Sequence, residues 1–129
     1  MNIEEILQIK TKILTLEQRK DYFDNGYVKI DGILDSSWLD KLRTASSELV
    51  QKSRSVTESD DVFILEEGHC AEQPRLKRLV SPVSHHVAFW EFASVSIIPD
   101  MVADVVGPNV RFFHSKLNYK WAGGGQRFD

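Results

Sequence analysis

The chain is poor in the residues that would narrow its chemistry quickly. Cys70 is its single cysteine, so no internal disulfide can form and a metal site could draw at most one thiolate from it. No apolar run approaches the roughly 20 residues of a membrane-spanning helix. The balance of 42% hydrophobic and 27% charged residues is that of a globular domain rather than a disordered or membrane-spanning chain. The opening Met1-Asn2-Ile3-Glu4-Glu5 is acidic and lacks the basic and apolar regions of a secretory signal, so cytoplasmic residence is the expectation. There is no excess of positive charge either. A net charge of -3, with the one basic cluster Arg75-Leu76-Lys77-Arg78 short and interrupted, argues against a nucleic-acid binder. No internal repeat, low-complexity tract or interdomain linker is present, and 129 residues make one domain at most.

Metal and nucleophile signals are also thin. None of the four histidines, His69, His85, His86 and His114, is followed two residues later by Asp or Glu. His85 and His86 are adjacent, so a rigid helix would separate them by about 100 degrees and keep them off a common ion; one exposed and one packed ring is expected. His69 beside Cys70 has no second Cys or His at zinc spacing and reads as a loop imidazole and thiol. Gly123-Gly124-Gly125 is no phosphate loop, because no Lys-Ser/Thr follows and no helix is expected to begin there.

What is present is a helix-rich first half and strands gathering toward the end. Ile6, Leu7, Ile9, Ile13 and Leu14 suggest an amphipathic lead helix with Glu4 and Glu5 at its positive end. Thr15 and Gln18 form a capping-box pattern, and Asn25-Gly26 stops the helix that follows. Tyr27 to Ile30 reads as a strand. Asp35 or Ser36 can cap a longer helix with Trp38, Leu39, Leu42, Leu49 and Val50 as buried candidates. Ser53 to Asp61 is polar and reads as a surface connection, and Val62 to Leu65 as a strand. Ser84 can cap a helix through Phe92, and Pro99 and Gly107 bracket a further one with the usual asymmetry.

The stretch Asn109 to Asp129 organises the rest: an extended, polar-lined strand whose alternation breaks near His114, running into the glycine turn. His114, Lys116, Asn118 and Lys120 recur at alternate positions, while Phe112, Phe113, Leu117, Tyr119 and Trp121 are expected to supply the opposite apolar face or the pocket wall. A strand that is cationic on one side and apolar on the other can line a site for a dicarboxylate.

Leu79-Val80-Ser81-Pro82, the helix around Phe89-Trp90, Ile98 to Pro108, and Phe113-His114-Ser115-Lys116-Leu117-Asn118-Tyr119-Lys120-Trp121 together resemble the phytanoyl-CoA dioxygenase family. Leu16 to Tyr27 and Val28-Lys29-Ile30-Asp31-Gly32 resemble its opening helix and first strand. The resemblance implies an α+β fold: supporting helices plus the first strands of a double-stranded β-helix, a jelly-roll barrel, here incomplete. It further implies Fe(II), 2-oxoglutarate, dioxygen and a small-molecule substrate to be hydroxylated. The family holds iron with His-x-Asp and a later His, which leaves coordination positions open for the keto acid and dioxygen. On this resemblance residues 1 to 129 are an N-terminal portion of the domain that stops before the metal motif, with no metal ligand and no catalytic residue of its own. Asn118 and Lys116 are the positions carried over as 2-oxoglutarate contacts, and His114 and Trp121 as substrate contacts. The chain alone is then expected to be inactive, to hold no stoichiometric cofactor and to self-associate through open strand edges. Two other readings stay open: a small α+β ligand-binding or interaction module, and a subunit whose barrel is completed by a second chain.

Overall fold

The structure, a computed structural model, describes residues 1 to 125 and residue 127. The chain is α+β and divides into two compact units.

The first unit, Met1–Asp35 with Glu91–Phe112, is helical. Helix α1 (Ile3–Gln8) begins at a capping box between Asn2 and Glu5, and α2 (Leu16–Asn25) at the expected box between Thr15 and Gln18. Helix α2 ends at Gly26, whose φ of 80° gives the left-handed turn that a side chain would resist. The lead helix does not reach Leu14 as its apolar spacing suggested. The backbone N–H groups of Lys12, Ile13 and Leu14 are instead donated to the buried Asp104 carboxylate, each at 2.8 Å, on α6 (Ile98–Val106). Arg19, 1% exposed, completes this arrangement: Nε donates to the Asp104 carbonyl at 2.7 Å and Nη1 to Ile9 O at 2.9 Å, and Nη2 donates to Ile6 O. A charged pair thus ties three segments where an apolar stripe was expected. Tyr27 to Ile30, read from the sequence as a strand, joins no ladder. Its β-branched and aromatic residues lack a partner strand, and propensity alone does not make a sheet.

The second unit, Ser36–Trp90 with Phe113–Asp129, holds the sheet. Gln126, Phe128 and Asp129, the end of the stretch expected to continue past the glycines, lie outside the described residues. Helix α3 (Ser36–Lys52) presents Leu42, Ala45 and Leu49 at helical spacing to a core that includes Leu79, Ala88 and Phe89. Strands β1 (Phe63–Leu65), β2 (Leu76–Val80) and β3 (Lys116–Asn118) form an antiparallel sheet in the order β1-β2-β3. The central strand β2 was not evident from the sequence. Leu76 and Leu79 are both fully buried although three apart, which resembles a helical spacing. A bulge opposite Ile64 and Leu65 places an extra residue, Lys77, in β2 and returns both leucines to one face.

Short helices α4 (Pro82–His85) and α5 (Val87–Val95) follow β2. The expected Ser84 cap is replaced by His86, whose Nδ1 accepts the Ala88 N–H at 3.1 Å while Nε2 meets Glu48 at 2.9 Å. The long strand expected over 109 to 121 is much shorter. Only Lys116–Asn118 are strand, extended by backbone bonds from Ser81 N to Ser115 O and from Tyr119 N to Lys77 O.

Candidate functional site

The register fixes which side chains share a sheet face. Phe63, Leu79 and Leu117 align across the three strands and pack with the core that α3 helps to form. The next row, Ile64, Arg78 and Asn118, and the pair Val80 and Lys116 therefore occupy the opposite face. One face is apolar and covered by helix; the other carries two cations and an amide among aliphatic neighbours.

On that second face Arg78 Nε donates to Asn118 Oδ1 at 3.0 Å. With its oxygen accepting from Arg78, the Asn118 amide keeps its NH2 as a donor, so Arg78, Asn118 and Lys116 gather donor-bearing side chains on this face. This is the donor set a carboxylate requires, and a guanidinium is its best-matched partner. Arg78 lay in the basic cluster of the sequence, but nothing there placed it beside Asn118. The signal was available only once β2 was known to be a strand.

The other expected positions are distributed differently. His114 is exposed ahead of β3, with its ring edge-on to Phe113 at 4.5 Å between centroids. Trp121 is half-buried, stacks on Tyr119 at 5.6 Å and donates its indole N–H to Leu76 O at 2.8 Å. Tyr119 in turn meets Ser46 Oγ at 3.1 Å, and its hydroxyl is pushed above the ordinary tyrosine pKa by burial, with the Ser46 hydrogen bond acting in the opposite direction. The structure thus brings Lys116 and Asn118 to one face and ties Trp121 to the backbone of β2.

His69 is structural. Its Nδ1 accepts the Arg75 N–H at 2.9 Å, so Nε2 carries the proton toward the Ser53 and Val56 carbonyls, each at 3.1 Å. Cys70 beside it is exposed. His85 is exposed and His86 packed, the division expected of adjacent rings. Among the described residues no group of three or more His, Cys, Asp or Glu side chains is placed to hold a metal ion. Arg78, Asn118 and Lys116 thus offer donors suited to an anionic group, whereas no metal-ligating set is gathered among the described residues. No helix among them is long and apolar enough to cross a membrane.

Three curated proteins share about a quarter of their aligned residues with the chain. A protein of Stutzerimonas stutzeri named a probable alpha-ketoglutarate-dependent hypophosphite dioxygenase is 23% identical over 104 residues, covering 81% of this chain and 36% of the relative. A 2-aminoethylphosphonate dioxygenase from the uncultured bacterium HF130_AEPn_1 is 24% identical, covering 85% and 41%. The peroxisomal phytanoyl-CoA dioxygenase of Rattus norvegicus is 23% identical, covering 84% and 33%. The chain is distantly related to the phytanoyl-CoA dioxygenase family. It spans between a third and about two-fifths of the length of these relatives. No family model and no solved structure matches it.

Proposed function

We propose that the chain supplies the supporting helices and first strands of a jelly-roll barrel in an Fe(II)- and 2-oxoglutarate-dependent dioxygenase that hydroxylates a small organic substrate. The carrying observation is the Arg78–Asn118 pair, with Lys116 beside it, on the sheet face turned away from the helical core. In a barrel, that face is the inner wall.

Asn118 and Lys116 hold the cosubstrate, joined by Arg78. The amide and the two cations orient a dicarboxylate without reacting with it, a contribution of positioning rather than of bond making. His114, through its exposed ring, and Trp121, through the part of its indole left uncovered, are assigned to the substrate. Iron supplies the coupling of keto-acid decarboxylation to substrate oxidation when bound, and its ligands are assigned to polypeptide outside these 129 residues, in the same chain or a second one. The relatives named as dioxygenases, one of them alpha-ketoglutarate-dependent, support the reaction class.

The test is Fe(II) titration together with succinate release. The chain alone is expected to bind no stoichiometric Fe(II) and to release no succinate from 2-oxoglutarate above a protein-free control. Succinate formation by the chain alone would overturn the assignment of the metal ligands to other polypeptide.

A further inference from the structure

The charged pair that the functional reading leaves unused sits at the far end of the β1–β2 hairpin. Glu66 directly follows β1 and Arg75 directly precedes β2, and Glu66 N donates to Arg75 O at 2.9 Å. The Glu66 side chain is 4% exposed, and its Oε2 accepts Arg75 Nε at 3.1 Å. Its other oxygen, Oε1, accepts the backbone N–H of Gly125 at 2.6 Å, fifty-nine residues away in sequence. The turn is closed further by Gly124 N donating to Trp121 O at 3.1 Å. Gly124 passes so close to Arg75 that a Cβ there would fall on Nη2, with Glu66 Oε1 at 3.5 Å. The groups meet at the edge of a cavity of about 420 Å³ that Glu67 and Gln73 also line.

From this geometry we propose that Glu66 and Arg75 form a clasp on the triglycine turn, so that a partly buried ion pair sets the direction in which the chain leaves β3. A buried carboxylate needs its charge and hydrogen bonds answered. Arg75 answers the charge and Gly125 one of the lone-pair directions. The turn is thereby coupled to the hairpin: releasing Gly125 removes one donor from a buried carboxylate, and displacing Arg75 removes its guanidinium contact. Gly124 is the residue that lets the backbone approach closely enough for both contacts. Gly125 is held by a side chain far from it in sequence.

Amide exchange followed by NMR on the 129-residue chain tests this clasp independently of any dioxygenase activity. In the parent, the Gly125 amide is expected to be protected. In Glu66→Ala its exchange should rise by about tenfold or more, the size expected for losing a charge-assisted bond. The Val80 and Tyr119 amides, bonded within the sheet, serve as the reference and should keep their protection. Gly124→Ala removes no charge and should likewise speed Gly125 exchange, by driving the Arg75 guanidinium off Glu66. If Glu66→Ala also exposes Val80 and Tyr119, the sheet has melted and Gly124→Ala decides. Faster Gly125 exchange with an intact sheet supports the clasp. An unprotected Gly125 amide in the parent, or one unchanged in Gly124→Ala, overturns it.

Discussion

Arg78 Nε and Asn118 Oδ1 meet at 3.0 Å across the β2–β3 ladder, on the face of the sheet that the helical core does not use. The contact fixes the amide orientation and leaves the Asn118 NH2 as a donor. Asn118→Asp keeps the shape and gives Arg78 a charged partner, but sets a carboxylate against an incoming one. Affinity for 2-oxoglutarate is expected to fall about tenfold or more, while thermal stability is unchanged or slightly raised. Isothermal titration and a melting curve on the same variant separate these effects.

Asp104 carries the helical unit. Burial works to raise its pKa, but the Lys12, Leu14 and Ile13 backbone N–H groups and the nearby Arg19 charge outweigh it and hold the carboxyl below its ordinary value. A carboxylate with a lowered folded pKa stabilises above its unfolded pKa and loses that contribution as the pH falls through the folded one. The stability of the helical unit should therefore decline below about pH 4, near the ordinary aspartate value, and Asp104→Asn should flatten that decline. Asp104→Ala, which strands three backbone donors, should cost about 3 kcal/mol. Denaturant melts at neutral and acid pH measure both.

Self-association is expected through β3 rather than β1. Around β1 the outer groups are already engaged: Phe63 N donates to Asp60 Oδ1 at 2.6 Å, Asp60 N donates to Phe63 O at 3.0 Å, and Leu65 N donates to Ser59 Oγ at 2.9 Å. The open edge foreseen for Val62 to Leu65 is thus closed by its own preceding turn. In β3 the bonds to Lys77 and Ser81 alternate such that the Lys116 and Asn118 backbone groups point outward, where no partner lies among the described residues. Phe113, 87% exposed, lies just before them. Lys116→Pro removes an outward donor, which an edge strand tolerates, and should shift the chain toward monomer. Leu117→Pro should instead break the ladder and unfold the sheet. Analytical ultracentrifugation with circular dichroism distinguishes the two outcomes, and a parent chain that is already a stable monomer would contradict the association.

His69 and Cys70 are neighbours with unequal roles. The imidazole bonds the Arg75 N–H and the Ser53 and Val56 carbonyls, whereas the thiol is exposed. His69→Ala should cost about 1 to 3 kcal/mol, and Cys70→Ser about 0.5 kcal/mol or less. Thermal melts of the two variants check the contrast.

The local signals in the sequence were the legible ones. The Thr15–Gln18 box and the Gly26 stop gave α2, Leu42 and Leu49 gave the inner side of α3, and Val62 to Leu65 gave β1 within one residue. The alternation of Lys116, Leu117, Asn118 and Tyr119 gave the two sides of β3. What was not legible depends on distant partners. Asp104 takes up the backbone donors of Lys12 to Leu14 some ninety residues earlier in the chain, ending a helix that apolar spacing alone would extend. The bulge at Lys77 disguises β2, and with it the meeting of Arg78 and Asn118, because a one-residue insertion breaks the period on which strand reading rests.

The most direct test of the open sheet face is an NMR titration of the ¹⁵N-labelled 129-residue chain with 2-oxoglutarate. Saturable shifts at Arg78, Lys116 and Asn118 that disappear in an Arg78→Ala, Lys116→Ala double variant are expected, without matching shifts at Leu79 and Leu117 on the covered face. No saturable shift at Arg78, Lys116 and Asn118, or the same shifts in the double variant, would contradict this face as the place where the cosubstrate is held.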